Sequence, residues 1–126
     1  AMAFSKGLGA VHSMSHALGA NQELRLHHGT LNAVILPSVL RFNQNHVENK
    51  YIRIARAMGD KVTTDLANEI EKLNEKIGMP ASLSEMGVTE DMIPQLVAHA
   101  ATDPSNLTTP RLPSQEEWEK LFIEAM

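Results

Sequence analysis

Apolar residues recur at helical spacing along almost the whole chain, and no run alternates apolar and polar strictly enough to predict a strand. The pattern predicts a first helix over about Phe4 to Leu18. Gly7 and Gly9 weaken it by about 1 kcal/mol each relative to alanine, unless a neighbouring backbone packs closely there. Gly19 is a C-terminal stop, and Ala20 to Leu26 reads as a connecting loop. A second helix, His28 to Asn43, carries Leu31, Val34, Ile35, Val39 and Phe42 on one side with Leu36 and Leu40 beside them. So wide an apolar surface predicts a central position, and Pro37 inside it predicts a bend.

Asn45 and Glu48 have the spacing of a capping box, followed by Tyr51, Ile54, Ala55 and Met58 at helical spacing up to Gly59. A fourth, narrowly amphipathic helix is expected from Leu66, Ile70, Leu73 and Ile77, ending at Gly78 and Pro80. Ser82 to Met86 suits one short helical turn. Thr89, Glu90 and Asp91 then supply a cap and first-turn carboxylates for a fifth helix bearing Ile93, Leu96 and Val97. The proline-rich stretch from Asp103 to Pro113 reads as an extended surface loop. After it, Ser114 and Glu117 form a second capping box before Trp118, Leu121, Phe122 and Ala125. The expectation is an all-α bundle of five to six helices, with residues 1–126 forming one domain.

Composition narrows the function. A length of 126 residues suits one shared core. A net charge of -4 with both signs scattered lacks the basic stripe that nucleic-acid binding requires. The apolar stretch from Leu31 to Leu40 is interrupted by Asn32, Pro37 and Ser38 and is shorter than the roughly 20 residues a membrane span needs. No secretory signal pattern is evident, so a cytoplasmic location is the default expectation. With no cysteine, any metal must be held by histidine, carboxylate or water.

The unusual feature is histidine crowding: four of the six histidines lie between positions 12 and 28. His12 and His16 stand four apart on one helix face, within reach of a common metal or substrate. Such a pair is more often the mark of hydrogen-bonded structural histidines. His28, at the start of the second helix, can be brought back by the loop to make a cluster of three. His27 projects in another direction and reads as a loop or surface residue, and His46 and His99 read as structural. The methionines share no ligand spacing, and the glutamates fall on solvated helix faces. There is no nucleophile motif, phosphate loop or dinucleotide fingerprint.

The run Gly9-Ala-Val-His-Ser-Met-Ser-His16, then Leu18-Gly19, His28-Gly29 and Asn32-Ala-Val-Ile-Leu-Pro37, closely resembles the signature of the iron-containing alcohol dehydrogenases. Looser similarity continues through Arg41-Phe42-Asn43, Ala55-Arg56-Ala57-Met58-Gly59, Ile77-Gly78-Met79-Pro80 and Pro104 to Pro110. The resemblance implies the C-terminal helical half of an enzyme whose N-terminal α/β domain, absent here, binds NAD or NADP. It implies His12 and His28 as two ligands of a divalent metal, Fe²⁺ or Zn²⁺, held as a half-site. It implies His16 as the catalytic histidine near the nicotinamide that helps move a proton. The remaining ligands, an aspartate and a histidine, are expected from a preceding segment. Two departures stand out: the loop between the ligand histidines is longer than the common pattern and ends in His27-His28, of which His28 is preferred because glycine follows it, and Ala17 replaces a common proline.

Three outcomes are thereby expected. The chain is an incomplete alcohol dehydrogenase, inactive alone, a stand-alone helical interaction module that self-associates as a homo-oligomer, or one partner of a separate cofactor-binding chain.

Overall fold

A computed structural model describes residues 7–59 and 65–126; among these there is no strand. Five α-helices form the frame: α1 (Ala10–Gly19), α2 (His28–Ala57), α3 (Leu66–Lys76), α4 (Ile93–Ala101) and α5 (Gln115–Glu124). The all-α architecture expected from the pattern is the one found. The Phe4 start expected for the first helix lies outside the described residues, and α1 begins only at Ala10.

The late start of α1 has a local cause. Gly7 adopts a positive φ of 94°, and Gly9 is extended where it caps the helix. A Cβ at Gly7 would overlap the side chain of Thr108, whose hydroxyl donates to the Leu8 carbonyl. The close neighbour anticipated at these glycines is thus chiefly a threonine side chain from the far end of the sequence.

The second and third expected helices are continuous in α2, and the break falls at Val47, which leaves helical geometry (φ -138°, ψ 20°). Backbone geometry stays helical through Pro37. Proline has no N–H to offer the carbonyl four residues earlier. That carbonyl, of Ala33, accepts instead from the side chain of Asn74 on α3 at 2.7 Å. The Ser38 hydroxyl turns inward to the Ile35 carbonyl, so the polar atoms of this buried segment are bonded locally.

α1 packs between α2 and α4, while α5 lies against α4 and α2, and α3 lies along α2. The shared core contains Met14 and Leu18 of α1, Leu31 and Ile35 of α2, Leu83, and Trp118 and Phe122 of α5. The capping box read at Ser114 and Glu117 is present with both bonds formed. Arg111 extends it by donating to Glu117 at 2.7 Å while stacking 3.7 Å over the Phe42 ring, which ties α5 to α2. Arg41 makes a second tie, bonded by Glu71 of α3 and Glu124 of α5.

Two further expectations are modified. The apolar stripe of α3 is buried at Leu66 and Ala67, but Leu73 and Ile77 remain 41% and 57% exposed. The stretch from Asp103 opens as a 3-10 turn, Pro104–Thr108, before it becomes extended. Proline at the first position of that turn is preset for helical φ and lacks only a donor the turn would not use.

Candidate functional site

Two helix starts build the site. His12, Ser15 and His16 occupy the first two turns of α1, while His28 and Asn32 lie one turn apart at the beginning of α2. The loop between the helices returns the chain so that the three imidazoles meet. Ring centroids are 5.8 Å apart for His12 and His16, 5.3 Å for His12 and His28, and 5.4 Å for His16 and His28. The last pair is stacked, with planes 18° apart.

His27 is turned away and does a different job. It caps α2, its Nδ1 accepting from the Thr30 N–H at 3.4 Å. Gly29 leaves room for this, since a Cβ there would press on the His27 ring. Of the two adjacent histidines, His28 is therefore the one brought against His12 and His16. His46 and His99 are exposed and take no part in the cluster.

Asn32 connects the rings of His12 and His28. Its amide nitrogen lies 3.1 Å from His28 Nε2 and 3.4 Å from His12 Nε2. An amide N–H₂ only donates, so both ring nitrogens present lone pairs toward one point. On the other side of His28, Ser15 Oγ stands 3.4 Å from Nδ1 and donates its own proton to the His12 carbonyl at 3.2 Å. The hydroxyl is then free to accept from the His28 Nδ1–H, which leaves Nε2 unprotonated. The buried Asn32 Oδ1 has no hydrogen-bond partner. Burial, then the neighbouring His28 and His16, push the His12 pKa below its ordinary value, with Asp103 opposing.

His16 is held from a fourth direction. Its Nδ1 lies 2.9 Å from Asp103 Oδ2, at the end of α4. Asp103 Oδ1 accepts from the Ser105 N–H at 2.7 Å. Partial burial would raise this carboxyl, but bonds from Ser105 and His16 outweigh it and hold its pKa below the usual value.

The donor set suits a divalent metal as a half-site. Two neutral imidazoles offering Nε2 lone pairs to a common region are good ligands for Fe²⁺ or Zn²⁺. Among the described residues no group of three His, Cys, Asp or Glu side chains is arranged to hold an ion.

Beside the histidines runs an apolar groove of about 580 Å³, lined by His12, Asn32, Leu36, Leu40, Asn43 and Tyr51 among others. Burial pushes the Tyr51 phenol up to about 12. No helix among the described residues is long and apolar enough to cross a membrane.

Three residues of this arrangement were not singled out from the sequence as site residues. Asn32 stands at i+4 from His28, so helical spacing could have placed it. Ser15 lies between His12 and His16 and has the weaker signal of a buried hydroxyl. Asp103 precedes Pro104 and Ser105 and reads locally as a turn former, which it also is.

Residues 1–126 match the family model described as Fe-containing alcohol dehydrogenase family, C-terminal. The chain belongs to that family. It is 41% identical to 4-hydroxybutyrate dehydrogenase of Cupriavidus necator, over 100% of this chain and 35% of that protein. It is 37% identical to lactaldehyde reductase of Escherichia coli (strain K12), over 98% of this chain and 34% of that protein. Among solved structures, a 1,3-propanediol oxidoreductase superposes with a TM-score of 0.88 at 32% identity, covering 94% of this chain and 33% of that one. The chain therefore spans about a third of the length of the curated relatives it matches.

Proposed function

We propose that this chain supplies the metal-holding and proton-handling helical part of an NAD(P)-linked alcohol dehydrogenase, which oxidises alcohols or reduces aldehydes and ketones. The observation that carries the reading is the convergence of His12, His16 and His28, with the Nε2 atoms of His12 and His28 directed at the same amide nitrogen. His12 and His28 would hold the Fe²⁺ or Zn²⁺. Once bound, the ion acts as a Lewis acid toward an alcohol or carbonyl oxygen.

The chain's own residues do the rest of their share as follows. Ser15 and Asn32 orient the ligand rings and place their protons, and a cation that meets the Nε2 lone pairs would displace the Asn32 amide that donates to them. His16 would accept or return the hydroxyl proton through Nε2, the ring nitrogen that Asp103 leaves unbonded. The hydride partner, NAD or NADP, would be held by the part of the enzyme that the relatives have beyond the matched third. The isolated chain is accordingly expected to be inactive. An assay of alcohol oxidation with NAD and with NADP tests this: no turnover is expected, and turnover lost on His16→Ala would contradict the division of labour.

A second reading has a specific observation in its favour. The groove beside His12 is mostly apolar, and among its lining residues Asn32 and Asn43 have buried amide oxygens without partners beneath its surface. Such atoms cost free energy until something donates to them. In this reading the chain is a helical interaction module whose groove is covered by a second copy or by a separate cofactor-binding chain. Sedimentation velocity distinguishes the cases: a homo-oligomer supports self-association, and a monomer at high concentration removes it.

A further inference from the structure

The geometry points to Asp103 as the residue that positions His16, by fixing which ring nitrogen carries the proton. This inference rests on the reading of His16 as the proton-handling residue, and it names the part of the fold that makes that role specific.

Asp103 Oδ2 lies 2.9 Å from His16 Nδ1, and the Asp103 side chain is only 9% exposed while that of His16 is 39% exposed. A carboxylate accepts and does not donate. The bond therefore requires the proton on Nδ1 and leaves Nε2 as the basic lone pair. No described group bonds to Nε2, so the free base atom is the one on the ring edge away from Asp103.

The carboxylate is itself held in place twice over. Its second oxygen, Oδ1, caps the turn by accepting from the Ser105 N–H at 2.7 Å. That turn is bolted to α1 one helical turn before His16: Ser13 Oγ donates to Asn106 Oδ1 at 2.7 Å, and Asn106 Nδ2 donates to the Ala100 carbonyl at 2.8 Å. Ser13 and His16 share one face of α1, so the 103–106 turn meets that face at two points and cannot swing without breaking both. A surface ion pair on a mobile loop would have neither restraint. Asp103 acts through His16, so its role is to orient and to set the tautomer, a known way for one side chain to define the chemistry of a histidine.

The test reads the tautomer directly, by long-range ¹⁵N–¹H correlation spectra of the 126-residue chain at a pH where the rings are neutral. Wild-type His16 is expected in the Nδ1–H form. Asp103→Ser keeps a hydroxyl able to cap the Ser105 N–H but is too short to reach the ring, and it should shift His16 to predominantly Nε2–H, the form an unconstrained histidine prefers. A wild-type ring in the Nε2–H form overturns the inference without any variant, as does a folded Asp103→Ser chain whose His16 stays Nδ1–H. Metal titration of the same samples reads the proposed function separately. Loss of the tautomer preference with intact metal binding supports the positioning role. Absent metal binding with the expected tautomers removes the metal reading and keeps Asp103's hold on His16.

Discussion

The side-chain amide of Asn74 donates a 2.7 Å hydrogen bond to the main-chain carbonyl of Ala33, four residues before Pro37. It replaces the backbone bond that proline removes from α2, and in doing so it fastens α3 to the central helix. Asn74→Ala should leave that part-buried carbonyl unbonded at a cost of about 1–3 kcal/mol. In a Pro37→Ala background the restored N–H can take the carbonyl, so Asn74→Ala should cost distinctly less. Urea denaturation of the four chains checks this, and equal costs in both backgrounds would show that Asn74 acts by other means.

The capping box at the start of α5 gives a second expectation. Ser114 accepts from the Glu117 N–H, and Glu117 accepts from the Ser114 N–H at 2.8 Å. Ser114→Ala should destabilise the chain by about 1 kcal/mol, the usual cost of losing such a cap. The bond from the Ser114 backbone, then Arg111, hold the Glu117 carboxyl below its ordinary pKa. A depressed folded value means the stabilisation is fully present above the ordinary value and is lost as pH falls through the folded one. Glu117→Gln should therefore flatten the acid limb of a thermal-unfolding profile measured across pH, and an unchanged limb would remove Glu117 from the account.

Packing makes a contrasting pair of predictions. Phe122 is fully buried, whereas Leu107 is 89% exposed. Phe122→Ala should cost about 3–5 kcal/mol through lost burial and the cavity left behind. Leu107→Ala should change stability by less than about 0.5 kcal/mol. Denaturant midpoints for the two variants report the difference, and similar losses at both positions would mean that Leu107 is covered in solution.

Local signals carried most of the fold. α5 was legible because Ser114 and Glu117 mark its start and Trp118, Leu121 and Phe122 repeat at core spacing. The start of α1 was not, since Gly7 and Gly9 take their conformations against Thr108 and Thr109, residues about a hundred positions away. The continuity of α2 past Asn45 was also hidden, because the capping signal there marks a kink at Val47 where a new helix was expected. Helical spacing alone could not tell that Leu73 and Ile77 stay exposed, since that depends on what packs against this end of α3.

The site divides the same way. His12 and His16 share a face by spacing alone, the position of His28 after a short loop made a cluster of three possible, and the family resemblance singled out His12 and His28 as ligands. His28 was preferred to His27 from the sequence because glycine follows it, and the loop geometry brings His28 against the other two rings while His27 caps α2. Asp103 had no local signal beyond its turn, because its contact with His16 arises from the docking of α4 against α1.

The most direct measurement is anaerobic titration of the purified chain with Fe²⁺ and with Zn²⁺, alongside His12→Ala and His28→Ala. Saturable one-site binding is expected, weaker than a complete four-ligand site would give and lost in both variants. A folded chain that binds neither ion, or whose binding survives both substitutions, would contradict the metal reading.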